Sequence, residues 1–169
     1  MMLKFVGGIF IVVCGTLGGI YFSLRLKKKA EFFEQYIMFL TQVQTMISYG
    51  GMSVREILRE IRNIPLAEPI LLDTEKYMDN GEAIETAWKK AVGENKKQLH
   101  LEKSDTELLE YFGNTFGVSD REGELSKIKL HEELIRERWE NLKNEMYAKC
   151  RVYRIVGMFC GVMTAVLIC

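Results

Sequence analysis

Two long uncharged runs of mostly apolar residues occupy the ends of the chain. The first extends from Phe5 to Leu24 and the second from Ile155 to Cys169. At ~1.5 Å per residue, a helix over the first run reaches ~30 Å, the thickness of a bilayer core. The second reaches roughly 27 Å when residues 152–154 are added and Arg154 snorkels. We therefore predict transmembrane helices over residues 3–25 and 152–169.

Each run has a second interpretation. The C-terminal run has a composition that also suits a buried core helix, and the N-terminal run could be a cleaved signal peptide. A signal peptide carries its positive charge before the apolar stretch and ends in a small-x-small cleavage site. Here most of the positive charge follows the stretch, and no such site is found. The pattern therefore favours a retained helix.

Basic residues flank both runs on the side that faces the middle of the chain. They are Arg25, Lys27, Lys28 and Lys29 after the first run, and Lys149, Arg151 and Arg154 before the second. Basic residues next to membrane helices prefer the cytoplasmic side. We therefore expect residues 27–151 to be cytoplasmic and both termini to lie outside.

The middle of the chain shows helical periodicity throughout. Apolar residues recur at three- and four-residue steps from 30 to 48, and Gly50 follows. Capping-box spacing predicts further helix starts at Ser53, Ser104 (with Glu107) and Ser119. Pro65 is expected to end the second helix, Pro69 suits the first turn of the third, and residues 79–81 are expected to form a turn. The predicted helices cover 30–48, 53–64, 69–78, 82–91, 104–116 and a long rod from about 120 towards the C-terminus. We expect residues 93–97 to form a solvated link. The prediction is an all-α fold, a six-helix cytoplasmic bundle flanked by the two transmembrane helices.

Composition narrows the class of protein. The chain has 169 residues, with 23 basic and 23 acidic side chains and a net charge of +0, which does not suggest nucleic-acid binding. The four cysteines, Cys14, Cys150, Cys160 and Cys169, contain no CxxC pair. A disulfide framework or a zinc site is therefore not expected.

Candidate catalytic chemistry is sparse. His100 and His131 are the only histidines, they lack the HExxH spacing, and we expect His131 to be a surface imidazole. The chain has neither a phosphate-binding P-loop motif nor a GxSxG motif. Trp88 and Trp139 lie on apolar stripes and are expected in the core, and residues 136–143 are expected to be a solvated face or, alternatively, a partner surface. We predict no catalytic, cofactor-binding or metal-binding residues, and hence no enzyme.

Small residues in the predicted membrane helices show GxxxG spacing. Gly15 and Gly19 form one pair, and Gly157 and Gly161 form the other. This spacing lets helix backbones approach closely. We expect these glycines to contribute to helix packing in the membrane, between the two spans or between copies.

Three segments in order carry a resemblance to a known family. They are Ile47-Ser48-Tyr49-Gly50 with Ser53-Val-Arg-Glu-Ile-Leu58, then Phe116-Gly-Val-Ser-Asp-Arg121, then the basic-aromatic entry to the second run. With them, the chain resembles the stage III sporulation protein AB family of endospore-forming Firmicutes over nearly its whole length. It is also similar to the six-helix module of the type II secretion and type IV pilus inner-membrane platform protein. Residues 121–125 keep part of that module's Gly-Glu-x-x-Gly-x-Leu turn.

The resemblance implies a role as well as a fold. It implies a non-enzymatic component of the sporulation channel complex between mother cell and forespore, anchored in the outer forespore membrane. The implied partners are the secretion-type ATPase of the complex, stage III sporulation protein AA, other membrane subunits, the lipid bilayer and further copies of the chain. Arg121, Glu122 and Glu124 are the candidate interaction residues, although the two glutamates also suit a helix start. The alternative is a stand-alone membrane-anchored adaptor or regulator without an ATPase partner.

Overall fold

The computed structural model describes the backbone of residues 2–50, 52, 54–61, 64–116 and 121–168. Its helices are α1 (Met2–Gly50), α2 (Val54–Glu60), α3 (Glu68–Asp79), α4 (Ile84–Asn95), α5 (Lys103–Thr115) and α6 (Arg121–Ile168). No strand occurs in these ranges. The all-α class and the number of helices are therefore confirmed. The rod predicted from about residue 120 is confirmed as the single helix α6.

Two compact units make up the chain. Residues Lys28–Glu140 form the larger unit, which we call the helical bundle, and Met1–Lys27 with Asn141–Cys169 form the other. Side chains in the second unit are described at 20–21, 23–27, 141–149, 152 and 156. There the Arg25 guanidinium lies 5.7 Å from the centre of the Tyr21 ring, and Lys149 pairs with Glu145 at 3.0 Å.

Within the described part of the chain, no helix contains a stretch that is both long and apolar enough to cross a membrane. The spans predicted over 3–25 and 152–169 fall mostly on residues whose side chains lie outside that description. The same holds for Gly15, Gly19, Gly157 and Gly161. The predicted membrane helices and their glycine contacts therefore stay predictions.

The bundle is built around α1. All six residues of the stripe predicted for 30–48 are buried: Phe33, Tyr36, Ile37, Leu40, Val43 and Ile47. Phe32 and Phe39 are buried as well, so α1 is covered over a wider arc than one stripe. Trp88 of α4 stacks on Phe39 with a centroid distance of 6.0 Å, and Phe112 of α5 lies 4.8 Å from Trp88. This aromatic cluster joins α1, α4 and α5.

The predicted ends of the short helices are confirmed in part. A proline occupies the first turn of α3, as predicted from Pro69, and Gly81 adopts a φ of 90° in the predicted turn after that helix. Helix α2 ends at Glu60, well before Pro65, so the prediction that Pro65 terminates it is wrong. The capping residues predicted at Ser53 and Ser119 lie outside the described residues.

The solvated link predicted over 93–97 is wrong in its first half. Helix α4 continues through Asn95, whose side chain is buried and donates hydrogen bonds to Asp73 (2.7 Å) and to the Ala91 carbonyl (3.0 Å). The polar composition of the segment concealed this role, because a buried amide is stable when its hydrogen bonds are made. The pairing with α3 could not be read from the local pattern.

Close packing of α4 against α5 gives a direct test of the fold. A Cβ added at Gly113 would lie 2.8 Å from Cδ1 of Trp88, whereas one added at Gly93 would meet nothing within 4 Å. We expect Gly113→Ala to lower the free energy of unfolding by about 1–3 kcal/mol through overpacking. Gly93→Ala, also in a helix, should be neutral or stabilising by up to about 1 kcal/mol. Denaturant unfolding of the full chain, followed by circular dichroism, measures both, and equal effects would contradict this packing.

Candidate functional site

A fully buried carboxylate connects three helices of the bundle. Asp105 of α5 lies 2.6 Å from the Lys29 ammonium of α1 and 2.7 Å from Nε of Arg138 of α6. Its side chain is 0% exposed and that of Lys29 is 3% exposed. Glu102 completes the group, at 3.2 Å from Lys29 and 3.7 Å from Arg138. Two cations and two carboxylates therefore compensate each other, and we call these four residues the Asp105 cluster.

The start of α5 explains why Asp105 is placed so well. Glu102 is the N-cap residue, its side chain accepts from the backbone of Asp105, and its own N–H donates to Oδ2 of Asp105 at 2.8 Å. This is a reciprocal capping box built from two carboxylates. The prediction that Ser104 and Glu107 form the box is therefore wrong by two residues. The observed register is favoured because it gives the buried Asp105 carboxylate a backbone donor as well as two cations.

The surroundings of Asp105 act on its pKa in opposite directions. Burial alone raises the pKa of Asp105, but the Lys29 ammonium, the Glu102 backbone N–H and the Arg138 guanidinium together lower it below the ordinary 3.8. Charge-assisted contacts of this length are stronger than neutral ones. The carboxylate is therefore ionised at neutral pH and holds both cations.

The Asp105 cluster lies at one end of the bundle. Lys29 is the second residue of the unit that begins at Lys28, and Arg138 lies two residues before its last residue, Glu140. Both α1 and α6 continue beyond these positions towards the chain termini. Asp105 thus ties together the two helices at the end where both leave the bundle.

A second buried polar contact lies inside the aromatic cluster. The Tyr36 hydroxyl and Nε2 of His131 are hydrogen-bonded at 3.2 Å, and the rings of Phe112 and Tyr111 lie 6.0 and 5.7 Å from the imidazole. His131 is 1% exposed, so the prediction of a surface imidazole is wrong. Its position three residues after Ile128 and four before Ile135 places it on the buried face of α6 despite its charged neighbours. Burial lowers the pKa of His131 to about 4 and raises that of Tyr36.

The candidate interaction residues lie far from the Asp105 cluster. Arg121, Glu122 and Glu124 form the first turn of α6, where Arg121 and Glu122 are exposed. The helix rises ~25 Å between Arg121 and Arg138. Acidic residues in a first turn complement the helix dipole, so the position alone accounts for the two glutamates.

Sequence reasoning missed all four members of the Asp105 cluster. Residues 136–143 were expected to be a solvated face, yet Arg138 is largely buried and bonded to Asp105. One signal was available, since Arg138 continues the 3-4 spacing of Ile128, His131, Ile135 and Leu142. Trp88 is in the core as predicted, and Trp139 is half-buried. No group of metal-binding side chains is found among the described residues.

Removing the charge of Asp105 should destabilise the bundle strongly. Breaking a buried ion pair by neutralising one partner leaves the other charge uncompensated, at a cost of about 3–5 kcal/mol. We expect Asp105→Asn to lower the free energy of unfolding by that amount at pH 7. Asp79→Asn is the matched control, because Asp79 is half exposed in its pairs with Arg55 and Arg59 and should change stability by at most about 1 kcal/mol.

The effect of Asp105→Asn should also depend on pH. The pKa of Asp105 is lower in the folded chain than in the unfolded chain, so its stabilisation is complete above pH ~4 and is lost as pH falls through the folded value. The difference in the free energy of unfolding between the wild type and Asp105→Asn should therefore become smaller in acid. A cost below about 1 kcal/mol at pH 7 would contradict the role of the cluster.

Burial of His131 predicts a separate loss of stability in mild acid. Below pH ~6.5 the unfolded chain binds a proton at this residue that the folded chain binds only near its pKa of about 4. The free energy of unfolding should fall by about 3 kcal/mol across that interval. His131→Gln should remove this slope, and His100→Asn, at a half-buried turn position, should retain it. Denaturant unfolding of each variant, measured from pH 7 to pH 4, gives the dependence of the free energy of unfolding on pH. If that dependence is the same in His131→Gln as in the wild type, burial of His131 is not its cause.

Comparison with known proteins identifies the family. The model of the family described as stage III sporulation protein AB matches residues 4–169. The stage III sporulation protein AB of Bacillus subtilis (strain 168) is 29% identical over 133 residues, which cover 76% of this chain and 77% of that protein. A solved structure of a stage III sporulation protein AB (SpoIIIAB) has a similar fold, with a TM-score of 0.60 at 21% identity over 71% of this chain and 97% of that one. The resemblance found in the sequence is confirmed, and the chain belongs to the stage III sporulation protein AB family.

Proposed function

We propose that this protein is a non-enzymatic membrane component of the sporulation channel complex, acting as the platform that couples a secretion-type ATPase to the membrane. Membership of a sporulation family supports a role in sporulation. The Asp105 cluster is the observation that supports the coupling of an ATPase to the membrane. The cluster joins the two long helices at the end where both leave the bundle. Displacement of the bundle would therefore be passed to both helices at once.

Membrane anchoring is the first element of the proposal. The uncharged runs are long enough to span a bilayer, and basic residues flank them. Within the C-terminal part of the first run, Ile20, Tyr21 and Leu24 on α1 are each more than half exposed. Exposed apolar side chains that recur along one helix need a covering partner, and a bilayer would supply it. In this proposal the bundle lies in the mother-cell cytoplasm, both termini lie outside, and the anchor is in the outer forespore membrane.

Transmission of movement is the second element. The aromatic cluster packs α1 against α4 and α5, and the Asp105 cluster fixes α1 and α6 to the start of α5. Closely packed interiors transmit strain instead of absorbing it. An ATPase acting on the bundle would therefore move α1 and α6 together, and α6 would carry the movement towards the C-terminal run.

The partner surface is the third element. Arg121, Glu122 and Glu124 lie in the first turn of α6, about 25 Å along the helix from Arg138 of the Asp105 cluster. The side chains of Arg121 and Glu122 are exposed, so they are open to a partner protein. We propose these three residues as part of the contact.

Co-purification tests the proposal. The full chain, extracted in mild detergent, should capture the secretion-type ATPase of the same organism, and the amount captured should change with nucleotide. A folded chain that captures no ATPase with or without nucleotide would contradict the platform role. It would favour the stand-alone adaptor.

The residue assignment has its own test. The double variant Glu122→Lys/Glu124→Lys should reduce ATPase capture by about tenfold or more, because reversed charges at an interface repel their former partners. Glu133→Lys/Glu137→Lys is the matched control, since both glutamates are exposed on the same helix but away from its first turn. Capture equal to wild type in both variants would show that Glu122 and Glu124 only complement the helix dipole.

A further inference from the structure

A turn between α4 and α5 presents three lysines to solvent. The backbone of this turn is fixed by hydrogen bonds from the Leu101 N–H to the Lys96 carbonyl (2.9 Å) and from the His100 N–H to the Lys97 carbonyl (3.3 Å). Leu99 is buried beneath it. Lys96, Lys97 and Lys103 are exposed. Lys103 is the first residue of α5, its side chain is 92% exposed, and its ammonium lies 3.8 Å from the exposed Glu107 carboxylate. We call residues 96–103 the basic turn.

The basic turn lies at the end of the bundle where α1 and α6 leave it. Its last residues precede Asp105, and its one acidic residue, Glu102, contacts Lys29 at 3.2 Å and Arg138 at 3.7 Å. The negative charge of Glu102 is therefore compensated from within the bundle. Two exposed acidic residues of the same region, Glu137 and Glu140, lie on α6 and not on the turn. The outward charge of the turn itself is positive.

This end of the bundle is close in sequence to the first uncharged run. Three residues separate Lys28, at the start of the bundle, from Leu24, the last residue of the run. Through Glu102 the basic turn also contacts Lys29, the residue that follows Lys28. The headgroup layer of a bilayer is about 5–8 Å thick, and charges interact in physiological salt over about 8 Å.

We propose that the basic turn binds anionic lipid headgroups of the membrane that anchors the protein. This inference rests on the membrane anchoring proposed above. A lipid surface fits the turn better than an acidic protein segment does, because protein interfaces rely on aromatic and apolar anchors and are depleted in lysine. The turn has no Phe, Trp or Tyr, Leu99 is buried, and Leu101 is half-buried. Clustered lysines beside a membrane helix are typical of attraction to anionic lipids.

Lysine acylation in lipid nanodiscs tests the proposal. The full chain is reconstituted in phosphatidylcholine alone or with about 30% phosphatidylglycerol, and labelling of each lysine is measured by mass spectrometry. Lys96, Lys97 and Lys103 should label about threefold more slowly with the anionic lipid, and high salt should restore the rate. Lys76 and Lys129, exposed elsewhere on the bundle, are internal controls and should not change.

A variant supplies a second readout. In Lys96→Gln/Lys103→Gln, the remaining Lys97 should lose most of its lipid-dependent protection, whereas Lys76→Gln/Lys129→Gln should leave the protection of Lys97 intact. Equal labelling in both lipids, or protection that appears only when a partner subunit is added, would overturn the proposal. A chain that enters neither disc would contradict the proposed anchoring, and the inference with it. A chain that enters both but labels equally contradicts the inference alone.

Discussion

The buried Asp105 carboxylate is the contact on which the arrangement of the long helices depends. A charge removed from water is tolerated only when opposite charges and hydrogen-bond donors surround it. Asp105 meets this condition with one cation from α1, one from α6 and a backbone N–H at the start of its own helix. Because each group comes from a different part of the chain, satisfying one carboxylate fixes the relative positions of three helices. Such a cluster contributes geometric specificity, even where an apolar replacement would be equally stable.

The aromatic cluster holds the middle of the bundle together by packing, where the Asp105 cluster holds one end by charge. Phe39, Trp88 and Phe112 supply apolar area, while the Trp88 indole N–H donates to the Leu109 carbonyl at 2.8 Å and Tyr36 bonds His131. Each buried polar group of this kind fixes one orientation in a core that apolar contacts alone would leave less specific. The bundle is therefore held at one end by charge and through its middle by ring packing. This combination suits a domain that transmits movement without deforming.

Periodicity in the sequence was sufficient for the helices but not for the contacts between them. The stripe from Phe33 to Ile47 identified the central helix, because burial on one side leaves a 3.6-residue pattern. The pattern predicts the wrong exposure for Asn95, His131 and Arg138, because each is polar and is buried only through a partner distant in sequence. Local patterns cannot show such partners, and polar residues are usually exposed. Family resemblance succeeded where the residues alone did not, since no catalytic or binding motif was present from which a role could be inferred.

Coupling through the Asp105 cluster is the central claim, and sporulation itself tests it most directly. A spore-forming host that lacks its own copy would carry either Asp105→Asn or Gly113→Ala, at a temperature where both variants accumulate to the same level in the membrane. Both substitutions destabilise the bundle, but only the first releases α1 and α6 from α5. We predict that heat-resistant spores are lost with Asp105→Asn and retained with Gly113→Ala. Equal spore counts for the two variants would show that the cluster contributes only to stability.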